Sequence, residues 1–281
     1  MQKGQASKTA EIVCMGRALA HGAVGVGRFE DPTALHLLSE EGRRRVERIR
    51  GGGPAPNLRA RFEQVYFQTQ AVVMVARTVA IDDAIRSAGL PQLVLLGAGL
   101  DGRAWRMREL RPVSVFEVDH PDSQRDKRER TKKLDPVAQD VRFVPVDFER
   151  DELDTSLAAA GHAPDLPTCW VWEGVIMYLS LADIEATLAV LRRRSAPGSR
   201  LIIVYHAPAL ILALAGLLLR RVGEPLRSSF EPHELRALLS RYGFEVTSDR
   251  DVSAIGHSLS PEIGKTAARA KHLRVAVAER H

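Results

Sequence analysis

The stretch LVLLGAGLDGRAW, Leu93 to Trp105, decides how this chain is read. An unbroken aliphatic run, Leu93 to Leu96, leads into glycines at Gly97, Gly99 and Gly102. Strand, small-residue turn and helix in that order bring the backbone close to a ligand, because the start of the helix carries N–H groups without intrahelical partners. A Cβ at Gly97 or Gly99 would collide with such a ligand or distort the turn. Read literally, the glycines spell G-x-G-x-x-G, the fingerprint of a dinucleotide-binding turn.

Two acidic residues further along extend this reading. Asp119 closes the run SVFEVD roughly 20 residues after the turn, the spacing at which a strand-tip carboxylate accepts hydrogen bonds from a ribose diol. Glu117, two residues earlier, lies too deep to reach. Asp147 closes FVPVD at the tip of the next apolar run, where an adenine amino group would need an acceptor, with Phe148 available to pack on the ring. These residues describe an adenosine site. They do not favour a dinucleotide, because Asp101 stands between the second and third glycines. A carboxylate repels a pyrophosphate, whereas near a sulfonium or an ammonium it is favourable; it also suits a helix cap. No Tyr-x-x-x-Lys set for hydride transfer is present, Tyr178 being followed by LSLAD.

From Leu93 onward, short aliphatic runs alternate with helical stretches. QLVLLG precedes 103–110, SVFEVD precedes 121–133, VRFVPVD precedes 153–161, TCWVWEG precedes 182–194, and RLIIVYH follows. Near-continuous apolar strands separated by helices predict a parallel sheet covered on both faces. A helix starting near Pro232, capped by Glu231 or Ser229, precedes GFEVTSD, and HLRVAVAER ends the chain, which makes about seven strands. Before this lies helical material over 7–21, over 32–50, and over a long stretch from Leu58 to Ser87 stopped by Gly89 and Pro91. The expected architecture is an α/β sheet core over 91–281, preceded by a helical N-terminal cap over 1–90.

Composition narrows the function classes. The chain has 281 residues, 45% of them apolar and 27% charged, as in an ordinary globular protein. Cys14 and Cys169 cannot make a metal cluster or a disulfide framework, and 1–10 lacks the apolar core of a signal peptide, so a cytoplasmic location is expected. The longest apolar run, 207–219, falls short of the roughly 20 residues of a bilayer span, which argues against stable membrane insertion. Forty Lys and Arg against 35 Asp and Glu give a net charge of +5, but the basic runs are scattered and carry no interleaved aromatics. No nucleic-acid partner is expected, and the N/D-P-P-Y/F motif used for base amino methylation is absent.

LVLLGAGLDGRAWRM, FEVDHPDSQRDKR, VPVDFERDEL, WVWEGVIMYLSLADIEATLAVLRRRSAPGSRLII and the N-terminal ASKTAEIVCMGRAL, taken together and in this order, resemble the leucine carboxyl methyltransferase superfamily. The likeness runs over nearly the whole chain and is nearest to the bacterial branch that includes natural-product O-methyltransferases. It implies a Rossmann-like class I methyltransferase fold with a seven-stranded, mostly parallel sheet, and S-adenosylmethionine as cofactor with no metal. Roles follow from matching positions: Lys8 and Arg77 for the methionine carboxylate, Gly97 and Gly99 for the methionine–ribose portion, Asp119 for the ribose hydroxyls, Asp147 and Phe148 for adenine, Glu173 for the methionine ammonium. Where the family pattern reads GAGLDTR, this chain reads GAGLDGR, so Gly102 replaces a threonine.

Methyl transfer from a sulfonium is an in-line displacement that needs the nucleophile held collinear with the methyl carbon. A carboxylate, with a pKa near 4, is already ionised at neutral pH and needs no base. A phenol, with a pKa near 10, benefits from one, and His206 at the end of RLIIVYH is the candidate. Tyr178, His206, Leu210 and Leu214 are the expected acceptor-binding residues. The apolar 207–219 run, within an insertion expected near 207–230, predicts a lipophilic small-molecule acceptor, a polyketide-, terpenoid- or fatty-acid-like carboxylic acid. The alternatives are a phenol, a protein C-terminal carboxylate, and a cofactor-binding module without turnover.

Overall fold

The computed structural model describes residues 8–24, 27–53, 57–147, 152–209 and 226–281. Seven strands form one sheet in the order β3-β2-β1-β4-β5-β7-β6. They are β1 Gln92–Leu96, β2 Ser114–Asp119, β3 Asp140–Pro145, β4 Thr168–Trp172, β5 Arg200–His206, β6 Phe244–Asp251 and β7 Leu273–Arg280. The first five run parallel, and β7 pairs antiparallel with both β5 and β6. Every residue of β1 and β4 is buried, as central strands covered on both faces must be. The order reverses between β1 and β4, and in such sheets ligands bind outside the carboxyl ends of the strands at that switch point.

Among the described residues four helices precede the sheet: α1 Lys8–Ala20, α2 Ala34–Leu37, α3 Glu40–Arg50 and α4 Leu58–Ala88. Asn57 starts α4 by accepting from the Ala60 N–H at 2.9 Å, and Gly89 ends it in the left-handed region at φ 58°, a conformation in which glycine carries no Cβ penalty. The C-terminal half of α4 is buried, whereas Leu58, Phe62, Val65 and Tyr66 near its start are exposed. The core has two parts. One lies between the sheet and α1–α4 and includes Val115, Val171 and Val204; the other, on the opposite face, includes Phe116, Trp170, Trp172 and Tyr205.

Two expected helices are broken, and one connection holds helices that were not expected. The helix expected over 32–50 is interrupted at Leu38 and Ser39, which are extended. Glu11 of α1 accepts from both the N–H and the hydroxyl of Ser39, at 2.8 and 2.5 Å, while Ser39 caps α3 through the Gly42 N–H. A tertiary contact therefore makes a helix start inside an otherwise helical pattern. The stretch 103–110 is a single α-turn, α5 Arg103–Arg106, then extended Met107 and a 3-10 turn Arg108–Leu110. Between β6 and β7 the connection holds two short helices, Val252–His257 and Pro261–Ala267. The remaining α-helices among the described residues are α6 Pro121–Thr131, α7 Leu153–Ala159, α8 Leu181–Arg193 and α9 Pro232–Arg241, the last capped by Glu231.

Candidate active site

Side chains two apart on a strand share a face of the sheet. Asp119 thus follows Val115 and Glu117, Glu173 follows Val171, and His206 follows Val204; all three valines belong to the core beneath α1–α4. Asp119, Glu173 and His206 therefore lean toward the N-terminal helices at the carboxyl edge of the sheet.

The glycine turn is held tightly there. Gly97 and Gly99 have φ values of 71° and 45°, conformations that exact a steric cost from any residue with a Cβ. A Cβ at Gly97 would stand 2.0 Å from Val175 Cγ2, and one at Gly99 would stand 3.1 Å from Ala10 Cβ. The turn is thus clasped between the loop after β4 and the first turn of α1. Lys8 opens that helix, but its side chain lies outside the described part.

Asp119 is bound to the turn directly. Its Oδ2 accepts from the Gly99 N–H at 2.5 Å and its Oδ1 from the His120 N–H at 2.6 Å. Burial raises the pKa of this carboxyl, and the two backbone bonds oppose the rise. Each oxygen keeps a lone pair for a further donor. Asp147 follows the end of β3, with Oδ2 4.0 Å from His120 Nε2, so His120 stands between the two acidic tips. Phe148, Leu210 and Leu214 lie outside the described residues.

Below the turn lies a buried network of four arginines and four carboxylates. Arg77 Nη2 meets Glu173 Oε1 at 2.6 Å, and Arg103 Nη1 meets Glu173 Oε2 at 3.0 Å. Arg103 also pairs with Asp82 at 2.7 Å and with Asp101, whose Oδ1 accepts from the Arg103 N–H at 2.7 Å. Arg106 reaches Asp82 at 2.7 Å, and Arg17 reaches Asp31 at 2.8 Å. Burial works to raise the Glu173 carboxyl, but Arg77 and Arg103 outweigh it and hold it below the ordinary carboxylate range. Asp101 is lowered in the same way, burial being outweighed by Arg103, Lys127 and Arg17. Arg77 Nε is buried and has no hydrogen-bond partner among the described residues, which leaves one donor of the guanidinium open.

At the end of β5, the His206 ring stacks on that of His272, with centroids 5.3 Å apart and planes 23° from parallel. The Ala207 N–H donates to the His272 carbonyl at 2.7 Å. His206 Nδ1 is buried and likewise without a partner among the described residues. Burial, then His272 and Arg77, push the His206 pKa down to about 4. Tyr178 ends the 3-10 turn Ile176–Tyr178 that follows β4. Where the described chain resumes, Arg227 donates to the Met177 carbonyl at 2.7 Å and Phe230 to the His206 carbonyl at 3.0 Å. The segment before α9 therefore crosses the ends of β4 and β5.

The geometry brings together Arg77 with Glu173, and the glycine turn with Asp119. Sequence reading did not single out Arg103, Arg17, Asp31, Asp82, His120 or His272. Arg103 lies within the quoted stretch, and its place two residues after Asp101 at the start of the helix was its available signal. Among the described residues no group of three or more His, Cys, Asp or Glu side chains could hold a metal ion, and no helix is long and apolar enough to cross a membrane.

A sequence profile of the leucine carboxyl methyltransferase family matches residues 10–192. A protein of Streptomyces coelicolor named "Putative S-adenosyl-L-methionine-dependent methyltransferase" is 40% identical over 135 residues, 47% of each chain. Others of that name are 35% identical over 180 residues in Frankia alni, covering 62% of this chain and 59% of the relative, and 33% identical over 201 residues in Mycobacteroides abscessus, covering 69% and 65%. The chain thus spans about half to just under two thirds of the length of these curated relatives. Among solved structures, a DUF574-family protein of Streptomyces avermitilis superposes with a TM-score of 0.60 at 14% identity over 99% of both chains. A protein of Thermobifida fusca named "putative methyltransferase" superposes at 0.56 and 14%, over 99% of this chain and 96% of its own. The sheet and these likenesses identify the class I, Rossmann-like methyltransferase fold.

Proposed function

The chain belongs to the leucine carboxyl methyltransferase family, and from that premise we propose that it uses S-adenosylmethionine to methylate a carboxylate oxygen of a lipophilic small molecule, giving a methyl ester. The cofactor supplies an electrophilic methyl group on a sulfonium sulfur. The residues fit its adenosylmethionine frame. The glycine turn leaves no room for side chains, and Asp119 retains lone pairs for ribose hydroxyls. Arg77 and Glu173, paired in this structure, are the cation and anion to which an amino-acid zwitterion presents its opposite poles, and the open Nε of Arg77 is a donor for the carboxylate end. Lys8 would add a second cation at that end, while Asp147 and Phe148 would take the adenine.

The observation that carries the acceptor class is the His206–His272 stack within the electrostatic field of Arg77. A ring held near pKa 4 is a weak base for a phenol of pKa about 10, because general bases work best with a pKa near the operating pH. A carboxylate needs no proton removed. What it needs is orientation, which a neutral imidazole N–H at His206 would supply. His206 and Tyr178 would line the acceptor side. The lipophilic character of the acceptor is proposed from the composition of 207–219, of which 210–219, with Leu210 and Leu214, lie outside the described residues.

Mass spectrometry of reactions given S-adenosylmethionine with a panel of lipophilic acids and phenols tests this reading. An added methyl that alkali removes is the expected ester; an alkali-stable ether would replace it with the phenol reading. His206→Ala is expected to raise the acceptor KM while leaving a measurable kcat, whereas loss of kcat with restoration at high pH would mark His206 as a base.

A further inference from the structure

Gly102 is a glycine for a different reason from Gly97 and Gly99. Its φ of −105° and ψ of 5° suit any residue. What excludes a side chain is another side chain: a Cβ at 102 would stand 2.0 Å from Thr33 Oγ1 and 3.3 Å from both Thr33 Cβ and Asp31 Oδ1. Thr33 precedes α2, sixty-odd residues earlier in the chain, and is buried, as is Asp31. Its hydroxyl donates to Asp31 Oδ1 at 2.7 Å, and the Ala34 N–H donates to the same oxygen at 3.0 Å. Asp31 Oδ2 accepts from Arg17 Nε at 2.8 Å, and Arg17 Nη2 donates to the Leu100 carbonyl at 2.5 Å. A continuous chain of contacts thus runs from Thr33 through Asp31 and Arg17 back to the glycine turn, and Thr33 closes it by seating against Gly102.

We propose that Thr33 is a positioning residue for the cofactor turn: it occupies the volume that a side chain at position 102 would take and, through Asp31 and Arg17, fixes the backbone from Gly99 to Gly102. Positions 33 and 102 then form one seat that holds a single side chain, supplied here by the N-terminal helical region. The functional half of this inference rests on the S-adenosylmethionine reading; the competition for space does not.

Five proteins test it: Thr33→Ser, Thr33→Val, Thr33→Gly, Gly102→Thr and the double variant Thr33→Gly/Gly102→Thr. Each is measured by its urea midpoint and by calorimetric titration with S-adenosylhomocysteine. Thr33→Val keeps the shape and loses the hydroxyl, which leaves Asp31 one donor short, so affinity is expected to fall by about tenfold; Thr33→Ser is expected to stay within about twofold of wild type. Gly102→Thr is expected to lower both the midpoint and the affinity, and the double variant to recover both. A double variant no better than Gly102→Thr alone would overturn the shared seat. Folded Thr33→Val binding as tightly as wild type would overturn the positioning role. Wild-type protein that bound no S-adenosylhomocysteine would overturn the cofactor reading and the positioning role with it, and the urea midpoints would still decide whether the two positions compete.

Discussion

Single residues set the charge and shape of the site. Asp119 contributes two charge-assisted acceptors already oriented by Gly99 and His120. Asp119→Asn is expected to weaken cofactor binding by roughly 10- to 100-fold, the worth of hydrogen bonds to a charged group, as read by equilibrium dialysis with labelled cofactor. Because burial raises the Asp119 pKa, affinity is also expected to fall on acidification before the ordinary carboxylate range near pH 4 is reached. Gly97→Ala would strain a backbone at φ 71° and press on Val175; it is expected to abolish cofactor binding even where the chain still folds. His162 illustrates stability at the same scale. Its ring is buried between Phe116 and Trp170, its Nε2 meets Thr168 Oγ1 at 3.0 Å, and burial with Arg194 pushes its pKa down to about 4 from an ordinary 6.5. The folded state resists the proton that the unfolded chain accepts, so stability is full above pH 6.5 and is lost as pH falls toward 4. This one ring contributes about 2 kcal/mol of that loss by pH 5. In urea titrations at pH 7 and pH 5, His162→Gln is expected to shrink the difference by that amount.

Elements determine which residues meet, and here the limits of sequence reading are physical. The strand ends were legible because buried parallel strands read as aliphatic runs and their tips carry Gly97, Asp119, Asp147, Glu173 and His206. The partners of those tips were not. Arg103 meets Asp82, Asp101 and Glu173 together only once α4, α5 and β4 are packed. His272 stands beside His206 because β7 inserts antiparallel next to β5, a pairing that the spacing of apolar runs leaves open. The break between α2 and α3 depends on Glu11 reaching Ser39 from another helix. Glu117 on β2 shows an element-level commitment of another kind: it is fully buried, with its pKa raised by burial to about 7 against the pull of Lys127, 2.7 Å away on α6. Lys127→Met strands this carboxyl and is expected to cost about 3–5 kcal/mol in urea denaturation. The double variant Glu117→Gln/Lys127→Met is expected to recover most of that loss. If the single variant were as stable as wild type, the pair would not be what pins α6 to β2.

At the scale of the whole molecule, the N-terminal helices and the sheet share one core, and each supplies part of the candidate site. The sheet brings the glycine turn, Asp119, Glu173 and His206; α4 brings Arg77, α1 brings Arg17, and the loop before α2 brings Asp31 and Thr33. This division accounts for an arginine–carboxylate network that takes in Asp101 of the turn itself and is net neutral, an environment matched to a zwitterionic amino-acid portion and poorly matched to a pyrophosphate. Isothermal titration of the protein with S-adenosylhomocysteine, beside a parallel titration with NAD, decides whether the site has that preference. Saturable one-to-one binding of S-adenosylhomocysteine that Arg77→Met weakens is expected, with no heat from NAD; no heat from S-adenosylhomocysteine, or saturable binding of NAD, would overturn the assignment of the site to an adenosylmethionine frame.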